Sequence, residues 1–118
     1  MGSIDPFDID WKVNDPLDRE IVMLKSVKNA RASKHAEPPE YLSTEDVKSL
    51  VSDPDRIDES SHMINRSMYY CFDDSMDHRC ARAVVDFSES PARGVVVSWS
   101  RYKNAVSSSG VIYWKDEQ

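Results

Sequence analysis

Four side chains in the middle of the chain are of the kind that hold zinc: His62, Cys71, His78 and Cys80, with Asp73, Asp74 and Asp77 beside them. Two thiolates and two imidazoles suit a tetrahedral ion of borderline softness. Their spacing argues against it, because there is no C-x2-C knuckle and His78-x-Cys80 places two of the four on one strand end. The three aspartates lack the glycine and the terminal glutamate of a calcium loop. The expectation is that neither metal nor cofactor is bound.

Covalent chemistry fares no better. A cysteine nucleophile needs a base that a third group orients, and nothing around Cys71 or Cys80 matches a nucleophile elbow or a cysteine-enzyme signature. With three glycines in the chain, no phosphate-cradling loop can be drawn. The reading is a non-enzymatic protein whose work is binding.

Charge suggests what it binds. The net charge is −6, and residues 37–80 hold eleven acids against four bases while the flanking thirds are nearly balanced. Such a segment repels phosphate backbones, so direct nucleic-acid binding is disfavoured and a basic surface on a protein partner is favoured. Asp53, Asp55, Asp58, Glu59, Asp73, Asp74 and Asp77 are the expected contact residues of a small regulator, adaptor or inhibitor. One variant of this reading is an acidic mimic of nucleic acid, of the kind small phage-encoded inhibitors use. A separate docking signal is Pro38-Pro39-Glu40-Tyr41, the P-P-x-Y pattern that WW domains bind, with Pro38, Pro39 and Tyr41 as its anchors. The rival to protein binding is RNA stacking on a sheet, since Tyr69, Tyr70, Phe72, Phe87, Trp99, Tyr102, Tyr113 and Trp114 fall on expected strands with Arg82, Arg93, Arg101 and Lys103 near them.

The elements that must carry these residues follow from periodicity. Gly94 to Tyr102 has strand character on both faces, with Val95, Val97 and Trp99 on one and Val96, Ser98 and Ser100 on the other. Ser67 to Phe72, Arg79 to Ser88, Arg93 to Tyr102 and Gly110 to Lys115 then form a four-stranded antiparallel meander. In that hairpin the two sulfurs could face each other, although free thiols are expected in a reducing compartment. Asp15-Pro16 reads as a cap and first helical position, and Leu17, Ile21, Leu24 and Val27 recur at helical spacing, which predicts a helix from Pro16 to about Ser33. Its bases Lys25, Lys28, Arg31 and Lys34 gather toward the end that the helix dipole favours. Ser43 with Asp46 three residues on forms a capping box, Leu42 and Val47 form the staple, and a second helix runs to about Ser52.

The predicted architecture is α+β: two helices packed on a four-stranded antiparallel sheet, with an N-terminal extended arm. Its 118 residues make one domain: arm 1–14, helical part 15–52, acidic loop 53–66, sheet 67–118. Phe7, Ile9 and Trp11 on one side of the arm are expected to dock on the core, and the arm and sheet edges admit a homodimer. The N-terminus has acids where a secretory signal needs bases, and no apolar run approaches membrane length, so a soluble cytoplasmic protein is expected.

Overall fold

The computed structural model describes residues 4–34, 42–60, 63–72, 80–102 and 110–115. Among these residues two helices lie against one seven-stranded mixed sheet. The strands are β1 (Ile9–Asn14), β2 (Glu20–Leu24), β3 (Arg56–Glu59), β4 (Arg66–Phe72), β5 (Cys80–Ser90), β6 (Arg93–Tyr102) and β7 (Val111–Trp114). The helices are α1 (Lys25–Lys34) and α2 (Thr44–Ser52). Across the sheet the order is β1-β2-β6-β5-β4-β3-β7. Every neighbouring pair is antiparallel except β2 with β6, which run parallel. The four-stranded antiparallel sheet predicted above is therefore wrong, and three further strands come from stretches assigned to the arm, a helix and a loop.

The largest correction is at Pro16 to Leu24. Asp15 and Pro16 open a tight turn instead of a helix, because the Asp15 carboxylate accepts from the backbone N–H of Leu17 and Arg19 at 3.0 and 2.8 Å. Asx-turn and helix-cap chemistry are the same up to this point. Ile21, Val22 and Met23 then form consecutive fully buried positions of a strand. A short apolar run of this kind fits a buried strand as well as a helix face, and only its neighbours decide. The helix starts at Lys25, where Asp8 accepts from the Ser26 N–H at 3.0 Å and from its hydroxyl at 2.6 Å. A carboxylate from a short 3-10 turn (Pro6–Asp8) thus serves the positive end of α1.

The expected arm is an outer strand of the sheet. Trp11 of β1 is buried in the core, whereas Phe7 ahead of it is 87% exposed. The expected acidic loop holds β3, in which Ile57 and Asp58 are wholly buried. Helix α2 follows the sequence closely: Ser43 Oγ accepts from the Asp46 N–H and Asp46 Oδ2 from the Ser43 N–H, both at 3.1 Å. Its inward side chains Val47, Leu50 and Val51 meet β1, β4 and β5. Each contributes roughly 1.5–3 kcal/mol of transfer free energy.

The core lies between α2 and one face of the sheet, and includes Trp11, Ile21, Met23, Ile57, Tyr69, Ala83, Val85, Val96 and Trp99. In β6 the expected alternation breaks at a bulge, where Val84 faces Ser98 but Val85 faces Val96. The extra residue puts Val96 and Trp99 on the same side, so both are core residues despite an odd spacing. Gly94 lies on this face where Val85 and Phe87 leave no room. A Cβ there would stand 2.4 Å from Val85 Cγ1 and 2.7 Å from Phe87 Cε1. Gly94→Ala is expected to cost about 1–3 kcal/mol through overpacking, read as a lowered urea midpoint. No helix among the described residues is long and apolar enough to cross a membrane.

Candidate functional site

Clefts among the described residues lie at both ends of the sheet. At the first end the β1–β2 turn, the approach to β4 and the β5–β6 turn meet, tied by backbone hydrogen bonds from Glu20 to Ala92 (2.9 Å) and from Phe87 to Asn65 (2.7 Å). Asp18 and Asn65 adopt left-handed backbone, with φ of 64° and 67°, which these short polar residues tolerate. The turn end is anchored by Asp15. Besides its two backbone donors, this buried carboxylate accepts Arg19 Nε at 2.9 Å and the Tyr69 hydroxyl at 2.5 Å. Arg19 in turn donates to the Tyr69 oxygen at 2.9 Å and lies 4.2 Å above the Phe87 ring. Burial first, and then the Asp15 carboxylate, push the Tyr69 phenol far above its ordinary titration range.

Beside this network is a cleft of about 380 Å³, lined among others by Arg19, Glu59, Ile64, Arg66, Ser67 and Phe87. The three arginines of this end are each paired: Arg19 with Asp15 at 2.9 Å, Arg66 with Asp86 at 2.9 Å and Arg93 with Glu20 at 2.8 Å. Burial works against ionising Asp86, but hydrogen bonds from Ser88 and the Arg66 guanidinium prevail and hold it below the usual carboxylate range. Asp18, Glu59 and Glu89 are exposed and form no ion pair among the described residues. At the same end of the sheet Leu17, Met63 and Ile64 are 39%, 49% and 86% exposed.

The second cleft, about 490 Å³, opens between α2 and the far ends of β4, β5 and β6. Leu42, Leu50 and Ala81 supply apolar lining, with Cys71, Asp53 and Arg101 among the polar groups.

The other polar cluster is internal. Arg56 Nη2 donates to Asp58 Oδ2 at 3.0 Å, and the guanidinium lies 4.5, 5.5 and 5.5 Å from the rings of Tyr70, Phe72 and Trp114. Arg56 Nε and Asp58 Oδ1 are also 3.0 Å apart, but their alignment is too poor for a hydrogen bond. The pair is therefore held by one good hydrogen bond, one close ionic contact and aromatic faces.

Of the expected contact residues, Asp58 is wholly buried against Arg56 and is removed from any docking surface. Asp55 is used internally: its Oδ2 accepts from the Phe72 N–H at 2.8 Å and its backbone joins β4 and Lys115. Asp53 is exposed and meets Lys115 Nζ at 3.1 Å, while Glu59 is exposed at the other end of β3. These four residues do not converge. Asp73, Asp74 and Asp77, the motif residues Pro38, Pro39 and Tyr41, and His62 and His78 lie outside the described residues.

Cys71 and Cys80 point to opposite faces of the sheet, because the register sets Cys71 against Ala81 and Phe72 against Cys80. They can neither form a disulfide in this arrangement nor ligate one ion together. Burial pushes the Cys80 thiol up. Among the described residues no group of three His, Cys, Asp or Glu side chains has metal-binding geometry. Of the expected stacking aromatics, Tyr69, Tyr70, Phe87 and Trp99 are buried, and Phe72 and Trp114 close around Arg56. Sequence reasoning missed Asp18 and Glu89 as site residues, and named Arg101 only as a base beside the stacking aromatics, since nothing local marks their grouping; it depends on strand order.

Among the described residues the fold is a sheet-dominated one with two short helices, a mainly polar cleft at one end and a mainly apolar one at the other. No protein-family model matches the chain, and neither curated proteins nor solved structures give a match.

Proposed function

We propose that this chain is a non-enzymatic protein-binding regulator, adaptor or inhibitor that docks a basic surface of a protein partner through the short-turn end of its sheet. The observation that carries this reading is the charge bookkeeping there. Each of the three arginines there has a carboxylate of its own, and among the described residues exposed Asp18, Glu59 and Glu89 have no ion-pair partner at the same end as exposed Leu17, Met63 and Ile64. Exposed carboxylates steer a cationic partner, and apolar side chains exposed at the same end supply the affinity. The paired arginines and Tyr69 hold the turns in place, so little ordering is needed on binding.

The test uses the intact chain as bait for a partner from cells that make it, followed by stopped-flow kinetics with the captured protein. Combined Glu59→Lys and Glu89→Lys should slow association by about tenfold at low salt and flatten its salt dependence. Ile64→Ser should instead speed dissociation. A partner whose two rates ignore all three changes binds elsewhere, and the reading fails.

A further inference from the structure

The cleft at the α2 end differs in holding a guanidinium, that of Arg101, beside apolar side chains. Across β4, β5 and β6 the register aligns Cys71, Ala81 and Arg101 in one row on the helix-covered face. The small Ala81 side chain leaves a trough between thiol and guanidinium, about 10 Å wide at two strand spacings. Leu42 and Leu50, each 4% exposed, complete an apolar lining, and Ser49 and Ser52 of α2 add hydroxyls. The volume of about 490 Å³ is that of a small-molecule site.

Both acids lining this cleft are engaged: Asp46 Oδ2 accepts from the Ser43 N–H in the capping box, and Asp53 meets Lys115. Arg101 is not. Among the described residues it forms no ion pair, and its buried Nε has no hydrogen-bond partner. A buried guanidinium N–H left unsatisfied costs free energy that an incoming acceptor would recover. We propose that this cleft binds a small amphiphilic anion, its carboxylate or phosphate head on Arg101 and its aliphatic body on Leu42, Leu50 and Ala81. The head alone is insufficient, because Asp46 and Asp53 nearby oppose a bare anion; the apolar body supplies the remainder. This site is independent of the docking end.

Cys71 lines the cleft and is half-exposed whereas Cys80 is buried, so maleimide alkylation of Cys71, followed by intact mass, reports occupancy on the full chain. The probes are decanoate, decyl phosphate, decanol and decyltrimethylammonium, each below its micelle concentration. At saturating concentration, one or both anions should slow Cys71 alkylation by about fivefold or more, and the stronger of the two identifies the head group. Decanol and the cation should change it by less than about twofold. Arg101→Met should abolish protection by the anions, and Arg101→Lys should retain part of it, because it keeps the charge but not the fork. Equal protection by decanol, no protection by either anion, or full protection in Arg101→Met would each overturn the proposal. Should the methionine variant fold poorly, the head-group series on the native chain decides.

Discussion

Replacing Asp15 with alanine is expected to remove about 3–5 kcal/mol of folding stability, read as a lower urea midpoint at unchanged slope. The carboxylate has no exposed side-chain surface and takes two backbone N–H groups, the Arg19 guanidinium and the Tyr69 hydroxyl. Alanine would leave all four donors short of an acceptor, and Arg19 would stay partly buried without its counter-charge. A loss below about 1 kcal/mol would mean that water replaces the carboxylate and that the turn does not depend on it.

The same network predicts an alkaline signature. The Tyr69 phenol titrates far higher in the folded chain than in the unfolded one, where it ionises near pH 10. Its contribution is complete below that value. As pH rises above about 10 the unfolded state ionises and the folded state does not, so stability falls by up to about 1.4 kcal/mol per pH unit. Tyr69→Phe should flatten the decline between about pH 10 and 12, at the cost of a constant loss at neutral pH. An unchanged slope would show that Tyr69 does not stay protonated in the folded chain.

The second large effect is at the internal ion pair. Asp58→Ala should cost about 3–5 kcal/mol, since it removes the carboxylate that the Arg56 guanidinium, 7% exposed and set among Tyr70, Phe72 and Trp114, meets at 3.0 Å. Combining Arg56→Met with Asp58→Leu should recover most of that loss, to within about 1–2 kcal/mol of the native chain, because the desolvation of both charges disappears with them. A double change no better than Asp58→Ala would mean that the aromatic faces, and not the carboxylate, hold Arg56 in place.

These residues also show where sequence reading succeeds and where it stops. Ser43, Asp46, Leu42 and Val47 specify α2 because every interaction that starts the helix lies within a few residues. The β5–β6 hairpin is equally local, with strands that meet across Pro91 and Ala92. Ile21 to Met23 were misread because their burial depends on β6, some seventy positions away, lying alongside them. Asp53 to Glu59 were misread as a solvated acidic loop because the contact that makes a buried Asp58 tolerable, Arg56 flanked by rings from β4 and β7, shows only once the strands are paired.

By itself, then, the amino-acid order determined the capped helix, the C-terminal hairpin and a chain with few catalytic signatures. Only the tertiary structure decided which charges are exposed. A carboxylate's role depends on the cation brought beside it, and strand order, which no local pattern encodes, brings Tyr69 to the local Asp15–Arg19 pair, Arg66 to Asp86 and Arg93 to Glu20 while leaving Arg101 without a carboxylate partner among the described residues.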